Sequence, residues 1–123
     1  MKKTSPSSSL EDSNQDREPY LYLSTRGRRS GLLREIEIWF TQRDGRFYVI
    51  AEYSTSHWVQ NLRVHPKVQV RLTEKSFAAN ARVLSPETEP ELHCAVQDLS
   101  RKKYGWGEGL IVEVTPSASA PAT

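Results

Sequence analysis

Residues 35–53, EIEIWFTQRDGRFYVIAEY, decide the fold class. Ile36, Ile38 and Phe40 alternate with Glu35, Glu37 and Trp39, which gives a strand with one apolar and one mixed face. Arg43-Asp44-Gly45-Arg46 is a tight-hairpin signal, because Asp-Gly tolerates the positive φ angles of the favoured two-residue turn. Phe47 to Tyr53 then reads as the return strand. One hairpin of this kind needs further strands to cover its apolar face.

Those strands lie on both sides of it. Upstream, Tyr20 to Thr25 is an aromatic and aliphatic run that stops before Gly27. Downstream, Val68, Val70 and Leu72 alternate with polar residues, and Phe77, Ala79, Ala81 and Val83 do so after a polar turn. Leu110 to Val114 makes a sixth strand. Two helices interrupt the series. Ser56 is placed to cap 57–64, where Trp58 and Leu62 are one turn apart and Pro66 ends the pattern. The second helix begins near Ser85 or Thr88, with Thr88 and Glu91 at capping-box spacing. Leu92, Ala95, Val96 and Leu99 keep its period, and Gly105 ends it. The expectation is a mainly β, α+β domain: a six-stranded antiparallel barrel with two capping helices.

The ends differ from this middle. Residues 1–19 hold five serines and two prolines with little to bury, and 115–123 are small residues. Both are expected to be disordered tails around a domain at 20–114. With 123 residues the chain suits one domain. No apolar run is long enough to span a membrane, and MKKTSPSSSL lacks the apolar stretch of a secretory signal. A single cysteine, Cys94, cannot form an internal disulfide, so a cytoplasmic setting is expected. A net charge of only +2 argues against nucleic acid as the partner.

The most chemically pointed stretch is 26–34, RGRRSGLLR. It holds four arginines, two glycines, a serine and no acid. Glycines let a ligand approach the backbone, and guanidinium groups bind phosphate or carboxylate oxygens in pairs. An anion cradle and a solvated basic turn both fit that composition. Glu35 and Glu37 share a strand face; with Arg34 beside them, ion pairing explains them better than acid–base catalysis. His57, His65 and His93 have no metal-ligand spacing, and no metal is expected. Trp58 and Asn61 share a helical face. Tyr104, followed by Gly105, Gly107 and Gly109, reads as the hinge of a mobile lid or as a flexible turn.

Three stretches in this order resemble the deazaflavin-dependent nitroreductase family. They are Leu23 to Gly31, Arg34 to Phe40, and His57 to Val68, within about three-quarters of the chain. The resemblance implies the split β-barrel of the pyridoxamine-phosphate-oxidase-like flavoproteins and a deazaflavin coenzyme, F420. By position, Arg28, Arg29, Ser30 and Arg34 would hold its phosphate and oligoglutamate tail. Ala51, Tyr53 and Ser54 would approach it from the loop after the third strand. Trp58 and Asn61 would line the ring and substrate pocket, and Tyr104 would position the acceptor. The chain departs from the family pattern in three ways: Arg29 replaces a lysine, Ile36-Glu37-Ile38 replaces Asn-Pro-Leu, and a loop lysine after the third strand is absent.

The function implied is hydride transfer from the reduced deazaflavin to a small electrophilic acceptor: a quinone, nitroaromatic or activated alkene. Hydride chemistry belongs to such a coenzyme, so the scarcity of nucleophiles is expected. The alternatives are a split-barrel protein using FMN or a haem-type ligand, and a non-catalytic anion-binding module. Split barrels often pair their open faces, so a homodimer is favoured.

Overall fold

A computed structural model describes residues 18–117. Most of the expected tail at 1–19 and the end of that at 115–123 lie outside these residues. Seven strands and two helices follow in the order β1 (Leu21–Arg26), β2 (Leu33–Ile38), β3 (Phe40–Arg43), β4 (Arg46–Ala51), α1 (His57–Val64), β5 (Lys67–Leu72), β6 (Lys75–Val83), α2 (Pro90–Tyr104) and β7 (Leu110–Pro116). They form one antiparallel sheet in the order β2-β1-β5-β6-β7-β4-β3.

The two edges of that sheet, β2 and β3, are consecutive in the chain. Only Trp39 separates them. Ile38 pairs with Leu21 on one edge, while Phe40 pairs with Val49 on the other. A flat sheet cannot place its first and last strands one residue apart, so the sheet curls into a split barrel. This corrects the expected strand count from six to seven: the predicted strand at 36–40 divides at Trp39 because its halves pair with different neighbours.

The hairpin at Asp44-Gly45 forms as expected, with φ of 54° and 77°. Strand boundaries shift elsewhere. The return strand stops at Ala51, short of Tyr53. The last strand runs on to Pro116, so the expected tail does not begin at Thr115. There the ladder with β6 continues, Asn80 facing Thr115 and Ala79 facing Pro116, and Ser117 N donates to Ala78 O at 3.0 Å. Small polar residues conceal a strand when its partner lies 35 residues earlier.

Both helices appear, with different starts. Ser56 precedes α1 but makes no side-chain cap; its carbonyl accepts from Val59 N instead. The capping box at Thr88 does not form. Ser85 closes a turn by accepting from Glu87 N, and α2 starts at Pro90, whose missing N–H is no loss in a first turn. Gly105 ends α2 in the left-handed region, as predicted.

The barrel interior is the main core, with Leu21, Leu23, Phe40, Phe47, Val49, Val70 and Val112 buried and Leu62 and Trp58 of α1 packed at one end. A second cluster, Tyr48, Leu84, Val96 and Ile111, lies where α2 covers the outside of β4 and β7. Those two strands are therefore buried on both faces, and the uninterrupted run Phe47–Val49 reflects it.

Candidate functional site

The arginine turn folds tightly on itself. Gly27 N donates to Leu32 O at 2.8 Å and Gly31 N to Gly27 O at 2.9 Å, while Ser30 Oγ accepts from Leu32 N. A Cβ at Gly27 would come within 2.6 Å of Ser30 Oγ, so a side chain there would displace the Ser30 hydroxyl. Arg26 spends its guanidinium on Gly31 O and so braces the turn.

Asn61 then pins the turn to α1. Its Oδ1 accepts both the backbone N–H of Arg28, at 3.1 Å, and the Arg28 guanidinium, at 2.8 Å. His57, one helical turn earlier, places Nδ1 3.5 Å from the same guanidinium. The result is a cleft of about 420 Å³ lined by Gly27, Arg28, Arg29, Ser30, Arg34, His57 and Asn61. Three arginines face it, and among the described residues no carboxylate does. Among the described residues neither Arg29 nor Arg34 forms an ion pair. Unpaired guanidinium groups, a serine hydroxyl and a close glycine backbone suit an oxyanion ligand. Five of the sequence-predicted site residues meet here. His57 was missed, although it stands four residues before Asn61 on the same helical face, which is a usable signal.

The other predicted residues lie elsewhere. Trp58 packs on the barrel core. Ala51 is buried in β4 opposite Leu110. Tyr53 and Ser54 are exposed in the link to α1 and line neither cleft.

Tyr104 belongs to a second cleft, of about 430 Å³, between β2–β4 and the end of α2. Its hydroxyl accepts from Phe40 N at 3.0 Å and lies 2.8 Å from Phe40 O and 2.6 Å from Pro19 O. Its ring stacks on Trp39, 4.4 Å between centroids with planes 2° apart. The hydroxyl expected to meet an acceptor is thus engaged by backbone groups, and the ring is what lines the cleft. The glycine-spaced stretch after it is tied to α2. Ser100 Oγ donates to Trp106 O, Gln97 Nε2 donates to Gly107 O, and Arg101 pairs with Glu108. Gly107 packs so closely on α2 that a Cβ there would come within 2.7 Å of Gln97 O.

The acidic residues divide by role. Glu35 forms a two-pronged pair with Arg71, and Glu37 accepts from the Tyr22 hydroxyl. Glu113 is buried and receives Tyr48 Oη at 2.9 Å and Arg82 Nε at 2.7 Å. Burial pushes its carboxyl up, but the Arg82 and Tyr48 hydrogen bonds outweigh that and hold it below the ordinary value. Burial and the adjacent Glu113 push the Tyr48 hydroxyl up to about 12. This network ties β4, β6 and β7 together.

The family model for F420H2-dependent quinone reductases matches residues 8–108, most of the chain. The chain belongs to the F420H2-dependent quinone reductase family. It is accordingly an oxidoreductase whose coenzyme is F420. Solved structures agree on the fold. The haem storage protein HutZ of Vibrio cholerae superposes with a TM-score of 0.69 at 18% identity, covering 89% of each chain. An F420-H2 dependent reductase superposes at 0.65 and 19% identity, over 81% of this chain and 95% of its own. A domain-swapped dimer superposes at 0.62 and 17% identity, over 90% and 96%. No curated protein matches the chain significantly. Among the described residues no helix is long and apolar enough to cross a membrane.

The cradle suits this reductase family's coenzyme. A phosphate and several carboxylates need cationic donors without competing acids, and the turn at Gly27–Arg34 presents those.

Proposed function

We propose that the chain transfers hydride from reduced F420 to a quinone-type electrophile and that Arg28, Arg29, Ser30 and Arg34 hold the coenzyme's anionic part. When bound, the coenzyme supplies the hydride. The protein's own residues bind and orient it. Among the described residues Arg29 and Arg34 are exposed and have no carboxylate partner, so they can grip oxyanions at little desolvation cost. Arg28 is held in place by Asn61, so less freedom is lost when it binds. Ser30 Oγ already accepts from Leu32 N and keeps its own hydrogen for an oxyanion. Among the acceptors considered, the family's description favours a quinone over a nitroaromatic or an alkene.

The observation that carries this reading is the acid-free cradle of three arginines. Fluorescence titration with F420 tests it. Arg29→Ala/Arg34→Ala should bind F420 at least about tenfold more weakly than the parent, since each charge-assisted bond is worth roughly 1.5–3 kcal/mol. Rising salt should weaken parental binding of F420 more steeply than that of FMN, which has no oligoglutamate tail. Equal affinity in parent and double variant would remove the cradle from the proposal. The domain-swapped structure also supports a homodimer for this chain; a monomer mass in sedimentation equilibrium would overturn that.

A further inference from the structure

The second cleft has the opposite character to the first. Its lining, among the described residues, contains two carboxylates, Glu37 and Glu52, and no lysine or arginine. Among the described residues neither carboxylate forms an ion pair. The Tyr22 hydroxyl orients Glu37 without neutralising it. Lys103, the neighbouring cation, is directed at Phe40, with Nζ 2.9 Å from its carbonyl and 3.8 Å from the ring centroid.

The walls are aromatic and aliphatic. Trp39 stays 49% exposed despite its stack on Tyr104, and Ile38 and Ile50 supply apolar surface. A half-exposed indole braced from behind is a rigid platform for another flat ring. Thr41 also lines the cleft, but its Oγ1 is sealed from solvent, so the walls offer a guest ring surface and negative charge. A volume of about 430 Å³ is in the range of small-molecule sites.

We infer that this cleft is a second binding site, for a planar aromatic molecule carrying positive charge. Ring stacking on Trp39 supplies affinity, and Glu37 and Glu52 supply the preference for a cation. The two clefts share no lining residue and have opposite charge, so an oligoanion and a flat cation are sorted to different places on one small domain. The inference goes beyond the coenzyme-cradle proposal. If electron acceptors use the site, cationic ones will be favoured over anionic ones.

Equilibrium dialysis of the full chain, without coenzyme, tests it with two flat tricycles: methylene blue, a cation, and phenazine, which is neutral. Two unit charges about 5 Å from a bound cation, in a water-like dielectric, give a preference of about tenfold. Methylene blue should therefore bind at least about tenfold more tightly than phenazine. The whole chain carries a net charge of +2, which works against non-specific uptake of a cation. Glu37→Gln/Glu52→Gln should abolish the preference and leave phenazine binding in place; both side chains are exposed, so the fold should survive. Glu52→Gln alone should reduce the preference about threefold. Arg29→Ala should change neither affinity, which separates failure here from failure of the cradle. Equal or tighter binding of phenazine by the parent would overturn the proposal. So would a preference that survives the double substitution.

Discussion

Replacing Asn61 by aspartate tests the cradle without dismantling it. Asn61 is 5% exposed, and its Oδ1 accepts two hydrogen bonds from Arg28, one from the backbone and one from the guanidinium. A carboxylate oxygen can accept the same two bonds, so Asn61→Asp keeps the turn tied to α1. It also places a negative charge at the root of the cleft, paired with one of its three arginines. For a coenzyme oxyanion about 6 Å away, that charge costs about 0.7 kcal/mol in a water-like dielectric and about 2.8 kcal/mol at an effective dielectric of 20. F420 affinity should therefore fall between about threefold and about a hundredfold, and most steeply at low salt. Unfolding in urea should be unchanged or shifted upward, because a neutral acceptor has become an ion-pair partner. Asn61→Ala is the contrast. It removes both bonds and should lose about 2 kcal/mol of stability along with affinity. If Asn61→Asp folds as the parent does and binds F420 with parental affinity at low salt, the cradle does not hold the coenzyme's anionic part.

Two further outcomes concern the frame around the clefts. Glu113 has a folded-state pKa below its ordinary value, so its stabilising contribution is present above the unfolded pKa of about 4.3 and disappears as pH falls through the lower folded value. Glu113→Gln should cost about 1–3 kcal/mol at pH 7, discounted because Arg82 and Arg46 are half exposed. In urea unfolding curves the deficit should shrink below pH 4; a deficit independent of pH would show that the charge is irrelevant. Tyr104→Phe leaves Phe40 N without its hydroxyl acceptor at the start of β3 and should destabilise the fold by about 1–2 kcal/mol in the same assay. Parental stability would return the hydroxyl to a role in the cleft.

Much of the architecture can be read from residue patterns, since alternation, turn residues and helix period are local consequences of backbone geometry. The hairpin at Asp44-Gly45, both helices and the mainly β character follow from them. The arginine turn was also legible: four cations and two glycines in nine residues mark a place where backbone and charge are both exposed. The second cleft was not. Its residues come from β2, β3, β4 and the end of α2, with no common spacing, and Trp39 looked like one position on the mixed face of a strand. Nor could any local pattern show that the Tyr104 hydroxyl meets the backbone of Phe40, 64 residues away.

The amino-acid sequence by itself determined the strand and helix segments, the crowding of arginines in the turn that lines the first cleft, and, through its ordered motifs, the reductase family. Tertiary structure alone decided that one strand is two, that Asn61 anchors the arginine turn, that the glycine-spaced segment is packed, and that Glu37 and Glu52 face one aromatic cleft. The division has a physical cause. A residue's face and period are set by its immediate neighbours, whereas barrel closure brings β2 and β3 to opposite edges of one sheet and makes neighbours of residues that no local pattern connects.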